Sequence, residues 1–445
     1  AVSSLLGLGG SLAETEILTR VLLDDGTILS VPADAAAGAA AIQRYSPRDA
    51  AKWPAFTSML RGLSGFLEAM YQLPAPDLDS SAVADLPGMI TLGRSYRALG
   101  RANMRELLRV LPMPVQDLAD DWLTFEPLKA AVAAAGVREI RQGPRSGGTS
   151  FVLLHHLTGG SPGTVRGRRQ LKGGPGAFIA AAEGAAKASG VTIRTGTRVR
   201  SIDIEDDRVR SVTLTTGETI PANAVLSTAD PASTFLGMVD PVWLDPEFVL
   251  ALGNIKYRGS TAYVCYRLEQ SAEPSVDQGL VNLSSSTDAI ERPFDAAKYG
   301  EASPMPHIEY SIPAGGRVLI ARVHYIPHTP RTGAWDAGRR EALGDLVSSR
   351  IARAIPGFGN MARERLVLTP DLLEERFGVT DGALTHGEIT LDQVLFMRPV
   401  AGWGRYATPI AGLYLGGAGT HPGPGIAGGS GWLAARRVLA DWRKK

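Results

Sequence analysis

Leu413-Tyr414-Leu415-Gly416-Gly417-Ala418-Gly419-Thr420-His421-Pro422-Gly423-Pro424-Gly425-Ile426-Ala427-Gly428-Gly429-Ser430-Gly431 is the stretch on which the fold turns. A short apolar strand runs into a glycine-dense turn, and the turn runs into a helix from Trp432 to Trp442. This order lets bare backbone amides approach a bound group and aims a helix N-terminus at it. Such an end favours negative charge, whether on a phosphate or on an electron-rich ring edge. A plain linker is glycine-rich too. Here, however, Ala435, Val438, Leu439 and Trp442 fall at i, i+3, i+4 and i+7, the spacing of a buried helix face. The turn is therefore expected to face a ligand. His421, inside it, is a candidate catalytic or ligand-contacting residue, with a purely structural role as the alternative.

Composition bounds the rest. A chain of 445 residues is long for one compact core, so two interleaved domains are expected. A hydrophobic share of 44% with 20% charge describes an ordinary globular chain, and a net charge of +1 gives no reason to expect nucleic acid. The single cysteine, Cys265, excludes an internal disulfide and a cysteine-built metal site; its apolar run, Thr261 to Tyr266, predicts a buried packing role. No run approaches the ~18 apolar residues of a membrane span, and no signal peptide is visible. A cytoplasmic enzyme is expected, with peripheral membrane association and a homo-oligomer both compatible with the sequence. The chain opens on Ala1 rather than Met, so processing or a longer parent chain is expected.

Outward from the turn, residues 19–31 read as two strands around Asp25-Gly26. Ser46 and Pro47 read as the N-cap and first residue of a helix, and residues 48–140 as mostly helical with breaks near Pro74 and Pro112. Gly173-Gly174-Pro175-Gly176 opens a helix to Ser189, stopped by Gly190. Strands follow at Val191–Arg194 and Val199–Ile204, then an Asp206-Asp207 turn, Val209–Thr215, and a strand ending at Ser227. From 236 to 400, strands at 261–268 and 317–325 alternate with helices at 336–354 and 370–377, as in a domain built on an antiparallel sheet.

Several motifs fail their chemical requirements. Gly7-Leu8-Gly9-Gly10-Ser11-Leu12 lacks the third glycine and the preceding strand of a dinucleotide loop, and reads as a turn between helices. No Walker A loop, nucleophile elbow or zinc-ligand spacing is present, so no metal is expected. His155-His156 is read on a strand, where adjacent side chains point apart and cannot share an ion, one buried and the other exposed. His386, just before an apolar helix or strand, is read as a hydrogen-bonded structural residue.

With these pieces assembled, the chain resembles the phytoene-desaturase-like FAD-dependent oxidoreductases of the flavin amine oxidase superfamily. Residues 412–423 resemble that family's C-terminal FAD motif; Gly173–Gly176, Gly190–Thr195 and Ala224–Pro231 are similar to its middle FAD segment. Glu126–Ala130, Tyr299-Gly300, His386–Gln393 and Met397–Val400 are similar to the branch named for a pyridine nucleotide-disulphide oxidoreductase domain. The resemblance implies a mixed α/β fold. A Rossmann-like FAD-binding domain (161–235 and 401–445) would be interleaved with a substrate domain of antiparallel sheet plus helices (1–160 and 236–400). Family members begin with a strand, a GxGxxG loop and an acidic ribose ligand; that segment is expected to lie outside this chain.

The resemblance further implies that the Val199 backbone meets adenine and that Gly417, Ala418 and Gly419 line the pyrophosphate and ribityl chain. Gly425, Ile426 and Gly428 would present the turn to the flavin N1/O2 edge, where the helix dipole favours the charge that reduction develops. Arg398, ahead of Pro399, is a second candidate site residue, with a structural ion pair as the alternative. The reaction implied is hydride transfer from an apolar or lipid-like substrate to flavin N5; a non-catalytic relative of the fold and an amine oxidase are the rivals.

Overall fold

The computed structural model describes residues 6–7, 12–14, 17–76, 86–159, 169–171, 173–269, 280–313, 316–426 and 428–443. Its largest sheet has seven strands in the order Ala362–Leu368, Thr261–Leu268, Val318–His324, Ile308–Ser311, Val281–Asn282, Ile17–Leu22 and Ile28–Pro32. Every neighbouring pair is antiparallel except Val281–Asn282 beside Ile17–Leu22, which is parallel. The first hairpin closes at Asp25-Gly26 as the sequence predicts: Gly26 sits at φ +85°, and the Asp25 carboxylate accepts from the Thr27 amide and hydroxyl.

A helical layer covers this sheet. Ser46 caps the Pro47–Tyr71 helix by accepting from the Asp49 amide, with Pro47 in the first turn. Trp53, Phe56, Leu60, Leu63 and Leu67 recur at helical spacing and are all buried. Each contributes about 1.5–3 kcal/mol by leaving water. Asp49 is buried as well; its carboxylate accepts from the Thr124 amide and hydroxyl and the Phe125 amide, tying this helix to the next turn of chain. Burial alone would raise its pKa, yet those donors hold it below the usual carboxylate value.

Two smaller sheets stand apart from the large one in pairing. Val199–Glu205, Arg208–Leu214 and Thr219–Pro221 make an antiparallel three-stranded sheet, with Asp206 and Asp207 both at positive φ in the connecting turn. Val225–Ser227 and Leu413–Leu415 pair in parallel, and the Gly429–Trp442 helix packs back on the second of them.

Five expectations need correction. Val191–Arg194 forms no strand among the described residues: the strand that follows is already paired with Arg208–Leu214, Val191 and Ile193 are exposed, and Arg194 instead pairs with Glu218. The Gly429–Trp442 helix buries Ser430, Leu433 and Ala434, so its packed face is rotated from the predicted one; Leu439 and Trp442 are exposed. His155 and His156 lie on a helix, Thr149–His156, not on a strand. Gly7 occupies a turn at φ +68°, but the next described element is a strand, Leu12–Glu14, rather than a helix; Leu8 to Ser11 lie outside the described residues. Cys265 is only half-buried, because alternate side chains of its strand leave the core face.

Candidate functional site

The parallel Leu413–Leu415 strand delivers the glycine turn. Leu413 and Leu415 are buried, and the Gly416 amide donates to Ser227 carbonyl oxygen at 2.7 Å. The chain then bends at Gly417, φ +75°, where a Cβ would stand 2.9 Å from the Thr228 carbonyl oxygen. At Gly419 a Cβ would meet Pro231 Cδ at 2.6 Å. Glycine at these two positions lets the turn lie flat on residues 228–231. Gly425 and Gly428 take φ of +78° and +71°, a region L side chains rarely adopt. Gly428 then starts the Gly429–Trp442 helix, and no side chain caps it. The Gly429 amide donates to the Ile426 carbonyl at 3.0 Å, which leaves the following amides of Ser430 and Gly431 for whatever group the turn faces.

Arg398 fixes the turn from behind. Its side chain is fully buried, and it pairs with no carboxylate among the described residues; a clamp of main-chain carbonyls stands in place of the ion pair. Nε and Nη2 both donate to Ala418 at 2.9 and 2.7 Å, Nη1 donates to Glu388, and Nη2 also donates to Thr385 and Gly387. Burial pulls its pKa down to about 10, which leaves the guanidinium charged at neutral pH. The carbonyl dipoles carry the compensation that a carboxylate would otherwise supply.

His421 is fully buried inside the turn. Its Nε2 lies 3.0 Å from the Leu73 carbonyl oxygen, which can only accept, so the proton sits on Nε2 and Nδ1 carries the lone pair. Nδ1 has no hydrogen-bond partner among the described residues. Burial, chiefly, lowers its pKa to about 4, so the ring is neutral. Tyr406 Oη donates to the His421 carbonyl at 3.0 Å and pins the backbone at the same point.

A second histidine, missed in the sequence reading, grips the turn. His155 Nε2 is 2.9 Å from the Pro424 carbonyl, and its Nδ1 is 2.7 Å from Tyr71 Oη. The Pro424 carbonyl requires the proton on Nε2, so Nδ1 accepts from Tyr71. Placing the pair on a helix would have found it: neighbours are then about 100° apart and one must face inward. His156 is half-buried on the other side, facing the Arg138 carbonyl.

The structure therefore brings Gly417, Ala418, Gly419, His421, Gly425, Ile426, Gly428 and Arg398 to one place. It does not bring Val199 there. Val199 starts the three-stranded sheet, paired with Leu214, and that sheet touches the strand leading to the turn through Val209 and Ala411. His386 lies beside Gly419 in a run of turns and short 3-10 segments, not before a regular helix or strand; its Nδ1 lacks the expected hydrogen bond among the described residues. Glu388, from the same segment, is buried against Arg258 and the Arg141 amide, and burial raises its pKa in spite of both.

The sequence profile of the flavin-containing amine oxidoreductases matches residues 145–439, which include the turn, the clamp and the uncapped helix. The chain belongs to that family. It is 30% identical to pyridine nucleotide-disulfide oxidoreductase domain-containing protein 2 of Rattus norvegicus, over 94% of this chain and 78% of the relative. It is 26% identical to hydroxyneurosporene desaturase of Rhodobacter capsulatus, over 95% and 81% respectively. Among solved structures, cyclohexylamine oxidase of Brevibacterium oxydans superimposes with a TM-score of 0.53 at 11% identity, covering 100% of this chain and 85% of that one. Putrescine oxidase bound to putrescine does so at 0.54 and 12%, with the same coverage. These two likenesses speak for the fold alone. The chain is an FAD-dependent oxidoreductase with a Rossmann-like flavoprotein fold. The residues present fit that cofactor: glycines flatten the turn, and an uncapped helix start offers donors to an acceptor-rich ring edge. No helix among the described residues is long and apolar enough to cross a membrane.

Proposed function

We propose that this flavoprotein dehydrogenates a small apolar or lipid-like substrate. FAD supplies the hydride acceptor, at flavin N5. The observation that carries the reading is a narrow cavity of about 70 Å³ between the Pro47–Tyr71, Glu126–Gly136 and Thr149–His156 helices and the seven-stranded sheet. Trp53, Phe56, Leu60, Val132, Leu153 and Leu157 contribute its apolar wall. No Asp or Glu among the described residues lines it, and Arg138 at its edge is already paired with Glu309. A hydrocarbon is at home there, whereas a protonated amine would find no free counter-ion. Relatives named for desaturation of hydroxyneurosporene, zeta-carotene and phytoene support the same substrate class.

In this reading residues 1–160 and 236–400 bind substrate, and residues 161–235 and 401–445 hold FAD. Gly417, Ala418 and Gly419 would lie along the pyrophosphate and ribityl chain, Gly425, Ile426 and Gly428 at the N1/O2 edge, and the Val199 backbone against adenine. Arg398, His421 and His155 act as positioning residues, since their donors go to main-chain carbonyls. The helical layer excludes water and orients the C–H bond that breaks.

The Leu86–Ala98 helix supports access from a lipid surface. It buries no residue, presents Leu86, Met89 and Ile90 at i, i+3 and i+4 to solvent, and carries Arg94 and Arg97 in its second half, with Arg101 just beyond its end. An apolar tip with a basic collar suits an anionic membrane interface.

The test is anaerobic reduction of the FAD-loaded protein by candidate substrates, followed by loss of visible flavin absorbance. Polyene or terpenoid hydrocarbons should bleach the flavin and primary amines should not. Bleaching by amines alone would overturn the reading.

A further inference from the structure

On the face of the seven-stranded sheet that meets the helical layer lies a buried polar patch that the flavin chemistry does not use. His307 and His324 stand directly opposite each other across two antiparallel strands, the His324 amide donating to the His307 carbonyl at 2.9 Å. Their rings stack with centroids 4.7 Å apart. Glu309, two residues along the same face, is paired in the ladder with Asn282 on one side and Arg322 on the other. His307, Glu309 and His324 are 0%, 2% and 1% exposed.

Burial on this scale obliges polar atoms to find partners. Four here have none among the described residues: Asn282 Nδ2, His307 Nε2, and both ring nitrogens of His324. A neutral imidazole always carries one bare lone pair, and two such rings facing a carboxylate form a donor set of two nitrogens and one oxygen. One ligand atom from each of the three residues lies within 4.8 Å of the others. His324 Nε2 is 3.3 Å from Glu309 Oε2, yet without the alignment of a hydrogen bond. Bonds of about 2.0–2.1 Å at tetrahedral angles put neighbouring ligand atoms roughly 3.3–3.4 Å apart, the same separation.

We infer that His307, Glu309 and His324 form a binding site for a borderline divalent transition-metal ion of the zinc type. The surroundings match the outer groups such a site needs. Ser284 Oγ lies 3.0 Å from His307 Nδ1 and holds that ring with Nε2 turned to the ion. Arg138 binds Glu309 through Nη2 to Oε1 at 2.7 Å and Nε to Oε2 at 3.0 Å, which fixes the plane of the carboxylate. Glu139 pairs with Arg322, the ladder neighbour of Glu309, and so offsets that cation beside the patch. Two imidazoles and a carboxylate leave one tetrahedral position for a water, for which Asn282 Nδ2 is a ready donor. Hard cations are disfavoured, because two of the three donors are nitrogen. Bound there, the ion would join two strands of the sheet and, through Arg138, the helical layer.

The experiment strips the full-length FAD-loaded protein of metal with chelator, adds Zn²⁺, desalts it, and counts metal per chain. Wild-type protein should keep one equivalent, and Co²⁺ in its place should give the intense visible bands of a four-coordinate ion. His307→Ala and His324→Ala should lose the metal. Ser284→Ala, which keeps all three ligands, should bind it ten- to hundred-fold more weakly. Far-UV circular dichroism of each variant guards against simple unfolding, and Ser284→Ala keeps the test decisive if a histidine variant fails to fold. A second, half-exposed group, His328, Glu374 and Asp381, is controlled by Glu374→Gln, which should retain the full equivalent. Wild-type protein that keeps no metal, an equivalent lost with Glu374→Gln, or equal affinity in Ser284→Ala would each overturn the assignment.

Discussion

Arg398 reaches the Ala418 carbonyl with two of its nitrogens, Nε at 2.9 Å and Nη2 at 2.7 Å. The same guanidinium holds carbonyls of Thr385, Gly387 and Glu388, so one side chain joins the His386–Gln393 segment to the glycine turn. Hydrogen bonds from a charged donor contribute about 1.5–3 kcal/mol each. Arg398→Met should therefore cost about 3 kcal/mol or more and release FAD, while Arg398→Lys, with one ammonium for several carbonyls, should fall between. Thermal unfolding and flavin retained through gel filtration check this; a wild-type midpoint with full flavin in Arg398→Met contradicts it.

His421 gives a pH dependence. Its folded pKa is about 4, whereas an unperturbed histidine titrates near about 6.5. Between those values the unfolded chain binds more protons, so stability rises with pH and levels off above about 6.5. The contribution is of order 3 kcal/mol at neutral pH and is lost progressively as pH falls from 6.5 toward 4. Unfolding midpoints across that window should flatten in His421→Gln, which keeps a donor for Leu73. An unchanged slope in that variant would count against the assignment.

The Tyr71–His155–Pro424 chain predicts an ordered pair of effects. Tyr71→Phe removes one neutral hydrogen bond and should cost about 1 kcal/mol. His155→Leu leaves both the Tyr71 hydroxyl and the Pro424 carbonyl buried without partners, so it should cost about 2–4 kcal/mol and weaken FAD binding as well. Denaturant unfolding of both variants decides; equal costs would show that His155 is not the link.

Gly428→Ala and Gly425→Ala force an L side chain into the left-handed region, at about 1–2 kcal/mol each. The strain lies where the turn meets the helix, so FAD affinity should fall about ten-fold or more while the far seven-stranded sheet keeps its stability. Fluorescence titration with FAD measures the first effect and hydrogen exchange the second. A variant with unaltered FAD affinity would place the cofactor elsewhere.

Replacing Arg94, Arg97 and Arg101 together by Gln should release the protein from vesicles containing phosphatidylserine. A basic residue near such a surface contributes about 1 kcal/mol, so three give roughly a hundred-fold loss. Co-sedimentation is the readout; binding that ignores both the substitution and the lipid charge would refute the basic collar.

Much of the architecture was readable because it follows local rules. Ser46-Pro47 announces a capped helix, Asp25-Gly26 a hairpin, and Gly417 to Gly428 a glycine turn running into a helix, each from chemistry confined to a few residues. What escaped depends on contacts distant in the chain. The face of the last helix is chosen by the strand beneath it, which draws in Leu433 and Ala434 and leaves Trp442 outside. His155 reaches Pro424 only once the helical layer meets the turn. Arg398 invites an ion pair in sequence because nothing there reveals that the main-chain carbonyls of Thr385, Gly387, Glu388 and Ala418 will converge on it. His307 and Glu309 are near neighbours in sequence, but only the pairing of their strand with Val318–His324 brings His324 to them.

The one parallel pairing in the large sheet sets the order in which the molecule must be built. Arg20 and Val21 lie beside Val281 and Asn282, so the first hairpin completes its sheet only after more than half the chain has been made. Until then the apolar faces of Val21, Leu29 and Val31 have the helical layer alone to cover them. Contacts between such distant partners close slowly, because the intervening chain must first give up its freedom. During synthesis, the Ile17–Pro32 hairpin is thus a waiting edge until Val281 and Asn282 emerge to pair with it.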